Sequence, residues 1–74
     1  MSEFGAVLFH TTSAALRAEK VLQRAGLTIK LIPTPREFSS DCGMALRFPW
    51  ACAEEVQAAL AAARVEIAEV RQMQ

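Results

Sequence analysis

The six residues Phe4 to Phe9, FGAVLF, are apolar without interruption. The run is too short for a packed helix and is rich in strand formers. It therefore reads as a strand buried on both faces, and hence central in a sheet. A chain of 74 residues built on such a strand has few architectures open to it. It makes one domain, residues 1–74, and a domain of that size buries only ~60–65% of its unfolded surface. A hydrophobic fraction of 53% supplies one small core without disulfides.

The rest of the chain supplies the partners of that strand. His10 ends it, and Thr11, Thr12 and Ser13 offer N-caps for a helix over Ser13 to Ala25. Its apolar stripe is Ala14, Ala18, Val21, Leu22 and Ala25, and Gly26 closes it as a left-handed cap. Leu27 to Ile32 alternates as a second strand, with Thr28 and Lys30 marking it as an edge. Gly43 to Phe48 is a third strand, with Met44, Leu46 and Phe48 on one face and Ala45 and Arg47 on the other; Pro49 ends it. A second helix from Ala51 to Ala63 carries Cys52, Val56, Ala59, Leu60 and Ala63 on one stripe, and Trp50 plugs the space beneath it. Arg64 to Val70 alternates as a last strand before a tail, RQMQ, expected to fray. The order β-α-β-β-α-β predicts an α+β, ferredoxin-like fold, a four-stranded antiparallel sheet with two helices on one face. An α/β plait with changed strand order is the alternative.

Followed along the chain, this topology gathers chemistry at one end. Strand two is expected beside strand one and parallel to it. The long loop before Cys42 then lies at the same end as His10 and the helix start at Thr11, Thr12 and Ser13. A loop of that length is more often a site than a spacer. The helix N-terminus, and Arg36 if its side chain folds inward, favour thiolate over thiol at Cys42. Asp41 opposes this, and Gly43 permits a turn that aims backbone N–H groups at the sulfur. Ser39 and Ser40 are turn formers. Cys52, on the core stripe at the opposite end, is expected to be a small buried hydrophobe too distant for a disulfide with Cys42.

The strings FHTTSAALRAEK, LIPTPRE and SSDCGMALRF resemble the selenium/sulfur carrier-like family of small bacterial proteins. The resemblance runs from about Phe9 to Val70 and is most specific from Ile32 to Phe48, departing at Asp41, where serine is a common choice. It implies a carrier, not an enzyme, that holds sulfur or selenium on Cys42 as a persulfide or selenosulfide. Donor and acceptor proteins would be its partners, and the turn with Ser39, Ser40 and Gly43 and the PTPRE segment with Arg36 would shape its pocket; His10, Thr11 and Thr12 join them as support on the topology alone. The alternative is a non-catalytic regulatory or protein-interaction domain whose Cys42 loop binds a small ligand or partner.

Other classes fit poorly. Eight basic and eight acidic residues cancel, and no basic run or aromatic ladder appears, which speaks against nucleic acid. Two cysteines well apart and one histidine do not make a soft-metal site, nor does one histidine assemble a catalytic constellation. No cofactor is expected beyond a covalently carried chalcogen. No apolar run approaches the ~20 residues that span a bilayer, and no signal peptide is recognised, so a cytoplasmic location with reduced thiols is expected. Strand one is apolar on both faces while helices cover only one. The uncovered face is therefore expected to pair two copies as a homodimer.

Overall fold

The computed structural model describes residues 3–38 and 42–73. Strand β1 spans Phe4–Leu8, helix α1 Thr12–Arg24, β2 Lys30–Pro33, β3 Met44–Pro49, α2 Ala53–Ala62 and β4 Glu69–Gln72. A single 3-10 turn, Trp50–Cys52, leads into α2. The sheet order is β2-β3-β1-β4, with every neighbouring pair antiparallel, the ferredoxin-like arrangement expected. One detail differs. β2 runs in the sense of β1 but does not lie beside it, because β3 is inserted between them.

β1 is central, as its unbroken apolar run requires, and Ala6, Val7, Leu8 and Phe9 are all buried. Val7 and Phe9 join Leu22, Leu46, Phe48, Val56 and Leu60 between the sheet and the helices. The stripe of α1 is rotated slightly from expectation: Ala15, Ala18 and Leu22 are buried, whereas Ala25 is exposed. Thr11 is the N-cap, its Oγ1 accepting from the Ala14 N–H at 3.1 Å. Gly26 has φ 79°, and the Leu27 N–H reaches back to the Leu22 carbonyl at 3.1 Å, closing the helix as a Schellman turn. That bond holds Leu27 in the cap, which is why β2 starts three residues later than the alternation suggests.

The end of α2 is built differently. Arg64 takes the left-handed position with φ 57°, and the Val65 N–H bonds to the Leu60 carbonyl at 3.0 Å. No basic residue lies in the last turn of α2. Arg17 of α1 supplies the cation instead, donating to the Ala63 carbonyl at 2.8 Å and the Arg64 carbonyl at 3.5 Å. Since Arg64 and Val65 complete the helix end, β4 cannot begin at Arg64 and its ladder runs over Glu69–Gln72. The tail expected to fray is partly this strand: Arg71 and Gln72 pair with β1, and the Met73 N–H bonds to the Phe4 carbonyl at 2.9 Å. A side chain at positive φ is strained where glycine is not. Arg64→Gly is therefore expected to stabilise the domain by ~0.5–1 kcal/mol, raising Tm by a few degrees. A thermal melt in which the variant equals or falls below the parent would refute this.

The face of the sheet without helices carries cover that the sequence reading does not foresee. Ala6, Leu8 and Ala45 form a second buried cluster there, and the residue that covers them is Phe38, 7% exposed, from the loop between β2 and β3. Ile32 and Met73 pack around its edge. Phe38 thus covers the middle of this face from within the chain, while Phe4 at its margin stays 36% exposed.

Candidate functional site

The site is assembled where the β1–α1 connection meets the return of the β2–β3 loop. β1 stops at Leu8, Phe9 anchors the chain in the core, and His10 and Thr11 are exposed. α1 then starts at Thr12. The loop is tied at its base by Thr34, whose N–H donates to the Gly43 carbonyl at 2.9 Å and whose Oγ1 donates to the Cys42 carbonyl at 2.9 Å. Within the loop, the Phe38 N–H donates to the Pro35 carbonyl at 3.0 Å, turning the chain so that the Phe38 ring enters the second core.

Cys42 is 3% exposed and belongs to the core between sheet and helices. Its Sγ accepts from the Met44 N–H at 3.4 Å and lies 3.8 Å from Thr12 Oγ1, where either atom can donate. The expected meeting of the thiol with the start of α1 therefore occurs, through Thr12. The thiol itself is buried, not exposed as a carrier cysteine at a loop end is expected to be, because the strand alternation that continues from Met44, Leu46 and Phe48 turns Cys42 inward toward the helices. Cys52 lies past the far end of β3, half-buried where a fully buried side chain is expected, and packs against the same core. Neither cysteine forms a disulfide.

The supporting residues divide. Thr12 touches the sulfur, while Thr11 acts one step removed, as the N-cap that sets the helix. His10 is exposed at the same end, and Arg36 is exposed in the loop turn instead of folding inward. Gly43 is not in a left-handed conformation, and a Cβ built on it meets nothing within 4 Å. The N–H that reaches the sulfur comes from Met44, so a turn peculiar to glycine is not what aims it. Ser39, Ser40 and Asp41 lie outside the described residues.

Sequence reasoning passed over Thr34 and Phe38. Phe38 carried a legible signal, being the one large apolar side chain in a segment otherwise made of proline, charged and hydroxyl residues, and such a residue is more stable buried than in water. Thr34 gave none, because its role depends on Gly43 and Cys42 returning to it.

A groove of about 430 Å³ flanks the other side of the α1 start, lined by Thr11, Ser13, Ala14, Arg17, Arg64, Val65 and Glu66. Among the described residues no cluster of three metal-ligating side chains occurs, and no helix is long and apolar enough to cross a membrane.

A βαββαβ domain with a single cysteine held at the start of its first helix is the class that the fold and site define. The family model described as "Putative Se/S carrier protein-like" matches residues 4–72, and the chain belongs to that family. It is also 35% identical over 57 residues to a protein of Escherichia coli (strain K12) titled "Uncharacterized protein YtiA". That alignment covers 77% of this chain and 66% of the relative, so the chain spans just under two thirds of the relative's length. No solved structure matches the chain.

Proposed function

We propose that the chain carries sulfur or selenium covalently on Cys42 and passes it between a donor and an acceptor protein. The observation that carries this reading is the surrounding of one sulfur atom: the Met44 N–H at 3.4 Å and the Thr12 hydroxyl at 3.8 Å, with the other cysteine beyond the far end of β3. The two contacts fix Sγ, the atom to which the cargo would be bonded, at the start of α1. A resolving thiol nearby would attack the inner sulfur and expel the cargo; Cys52 is too distant to do so. In loading, the Cys42 thiolate attacks the outer sulfur of a donor persulfide. A new S–S bond forms on Cys42, the donor's S–S bond breaks, the donor departs as a thiolate, and no net oxidation occurs. Unloading is the same exchange onto an acceptor thiolate. Burial of the sulfur protects the cargo between partners and requires that the Cys42 segment be uncovered when one docks. The setting for this chemistry is the cytoplasm, where thiols stay reduced.

The same burial favours a second reading, an interaction domain in which Cys42 is core packing and the neighbouring loop meets a partner. Intact mass separates the two. After incubation with a cysteine desulfurase and cysteine, or with a selenium donor, the protein is expected to gain one chalcogen atom that a thiol reductant removes. Cys42→Ala is expected to gain none and to keep its fold, while Cys52→Ala loads like the parent. If the parent gains nothing, or Cys42→Ala gains as much, the carrier reading fails and the interaction domain replaces it.

A further inference from the structure

The face of the sheet opposite the helices carries a charged feature beside the Phe38 ring, away from the cysteine. In register across the strands lie Lys30 on β2, Arg47 on β3, Ala6 on β1 and Arg71 on β4. Neighbouring strands are about 4.8 Å apart, so three cations share one row, interrupted only by a methyl group. Like charges directly opposite on a sheet are destabilising, yet Lys30 faces Arg47. The two arginines are held down by aromatic rings, Arg47 at 4.5 Å over Phe4 and Arg71 at 5.3 Å over Phe38. Stacking uses the face of a guanidinium and leaves its N–H edge for a carboxylate. Glu69 lies 3.3 Å from Arg71 and offsets one charge at the end of the row. Glu54 and Glu55 begin α2, on the opposite side of the sheet. Lys30 is exposed, and Phe4 beside the row is 36% exposed, so the surface is open to a partner.

We propose that this row, Lys30–Arg47–Arg71 with Phe4 at its side, docks an acidic segment of a partner protein. The occupant follows from charge. Carboxylates spaced along an extended peptide relieve the like-charge pair and complete the guanidinium edges. A nucleic acid fits less well, since the two rings beside the row already stack with Arg47 and Arg71 and offer no free platform for bases. The surface lies across the sheet from Cys42, and the inference does not depend on the carrier reading.

The test titrates the full chain, labelled with nitrogen-15, with a short oligo-glutamate peptide at low salt, and in parallel with oligothymidylate. The peptide is expected to move the amides of Ala6, Lys30, Arg47 and Arg71 and to lose affinity as salt rises. Lys30→Gln with Arg47→Gln is expected to weaken binding about tenfold, and Arg47→Lys with Lys30 retained keeps most of it, which separates charge from packing. Lys20→Gln with Arg24→Gln, removing the same charge from α1, leaves affinity within about twofold. The proposal is overturned if the peptide does not bind, if its shifts map to α1, if both double variants lose equally, or if oligothymidylate binds more tightly.

Discussion

Gly5→Ala is expected to lower stability by ~2–3 kcal/mol, the upper part of the range for forcing atoms into a packed core. A Cβ at residue 5 would lie 2.5 Å from Trp50 Cε3 and 2.7 Å from Phe48 Cζ, far inside contact distance. Neither ring retreats easily. Phe48 is 1% exposed, and the two rings stack with centroids 6.0 Å apart. Trp50 is also fixed through its backbone, its N–H donating to the Glu3 carbonyl at 2.8 Å. A domain of this size holds only about 4–11 kcal/mol in total, so the methyl group removes a large share, and Tm should fall by about 10 °C or more. Urea unfolding followed by Trp50 fluorescence measures it. A change under ~0.5 kcal/mol, typical of surface substitutions, would show that the rings move aside freely. Trimming Trp50, the chain's one tryptophan, to Leu in the same chain should recover part of the loss when both variants are followed by circular dichroism, because the two changes meet in one contact.

Phe38→Ala is expected to cost ~3 kcal/mol, the lower end for truncating a buried phenylalanine, because the residue sits at the margin of the core. The consequence should differ in kind from that of Gly5→Ala. The ring closes the cluster of Ala6, Leu8 and Ala45, so its removal opens an apolar patch beside β1. Such patches seek partners. The variant should bind a hydrophobic dye and associate at concentrations where the parent does not. Phe38→Leu, still apolar, should retain most of the stability. If Phe38→Ala melts with the parent and scatters light no more than it does, the loop does not close the face.

These residues show where sequence reasoning succeeds and where it stops. The place of β1 followed from FGAVLF alone, because an apolar run of that length needs cover on both sides. The helix start at Thr11 and the left-handed end at Gly26 followed from local chemistry that any chain obeys. The two displaced strands were misjudged for one shared reason. Leu27 and Val65 each donate back into the helix before them, and alternation says nothing about where a helix cap releases its last residue. The site divided along the same line. That Cys42 meets the α1 start was legible from strand direction. That the sulfur is buried was not, because its side follows from alternation in β3 carried past the strand's end. The covered face was also hidden, since it depends on a loop crossing from one side of the sheet to the other.

The position of β1 also governs how the chain can fold. Its two partners are β3 and β4, and the pairing of Leu8 with Glu69 joins nearly opposite ends of the chain. Only β2 and β3 pair as sequence neighbours. Contacts this remote cost loop-closure entropy before they return any stability, and folds rich in them form slowly. On the ribosome β1 is made before either of its partners, and the second of them emerges only when β4 has been synthesised. Until then FGAVLF is an apolar strand with at least one open edge, the kind of segment that aggregates or engages a chaperone. The feature that organises the native domain is thus also its greatest exposure during synthesis.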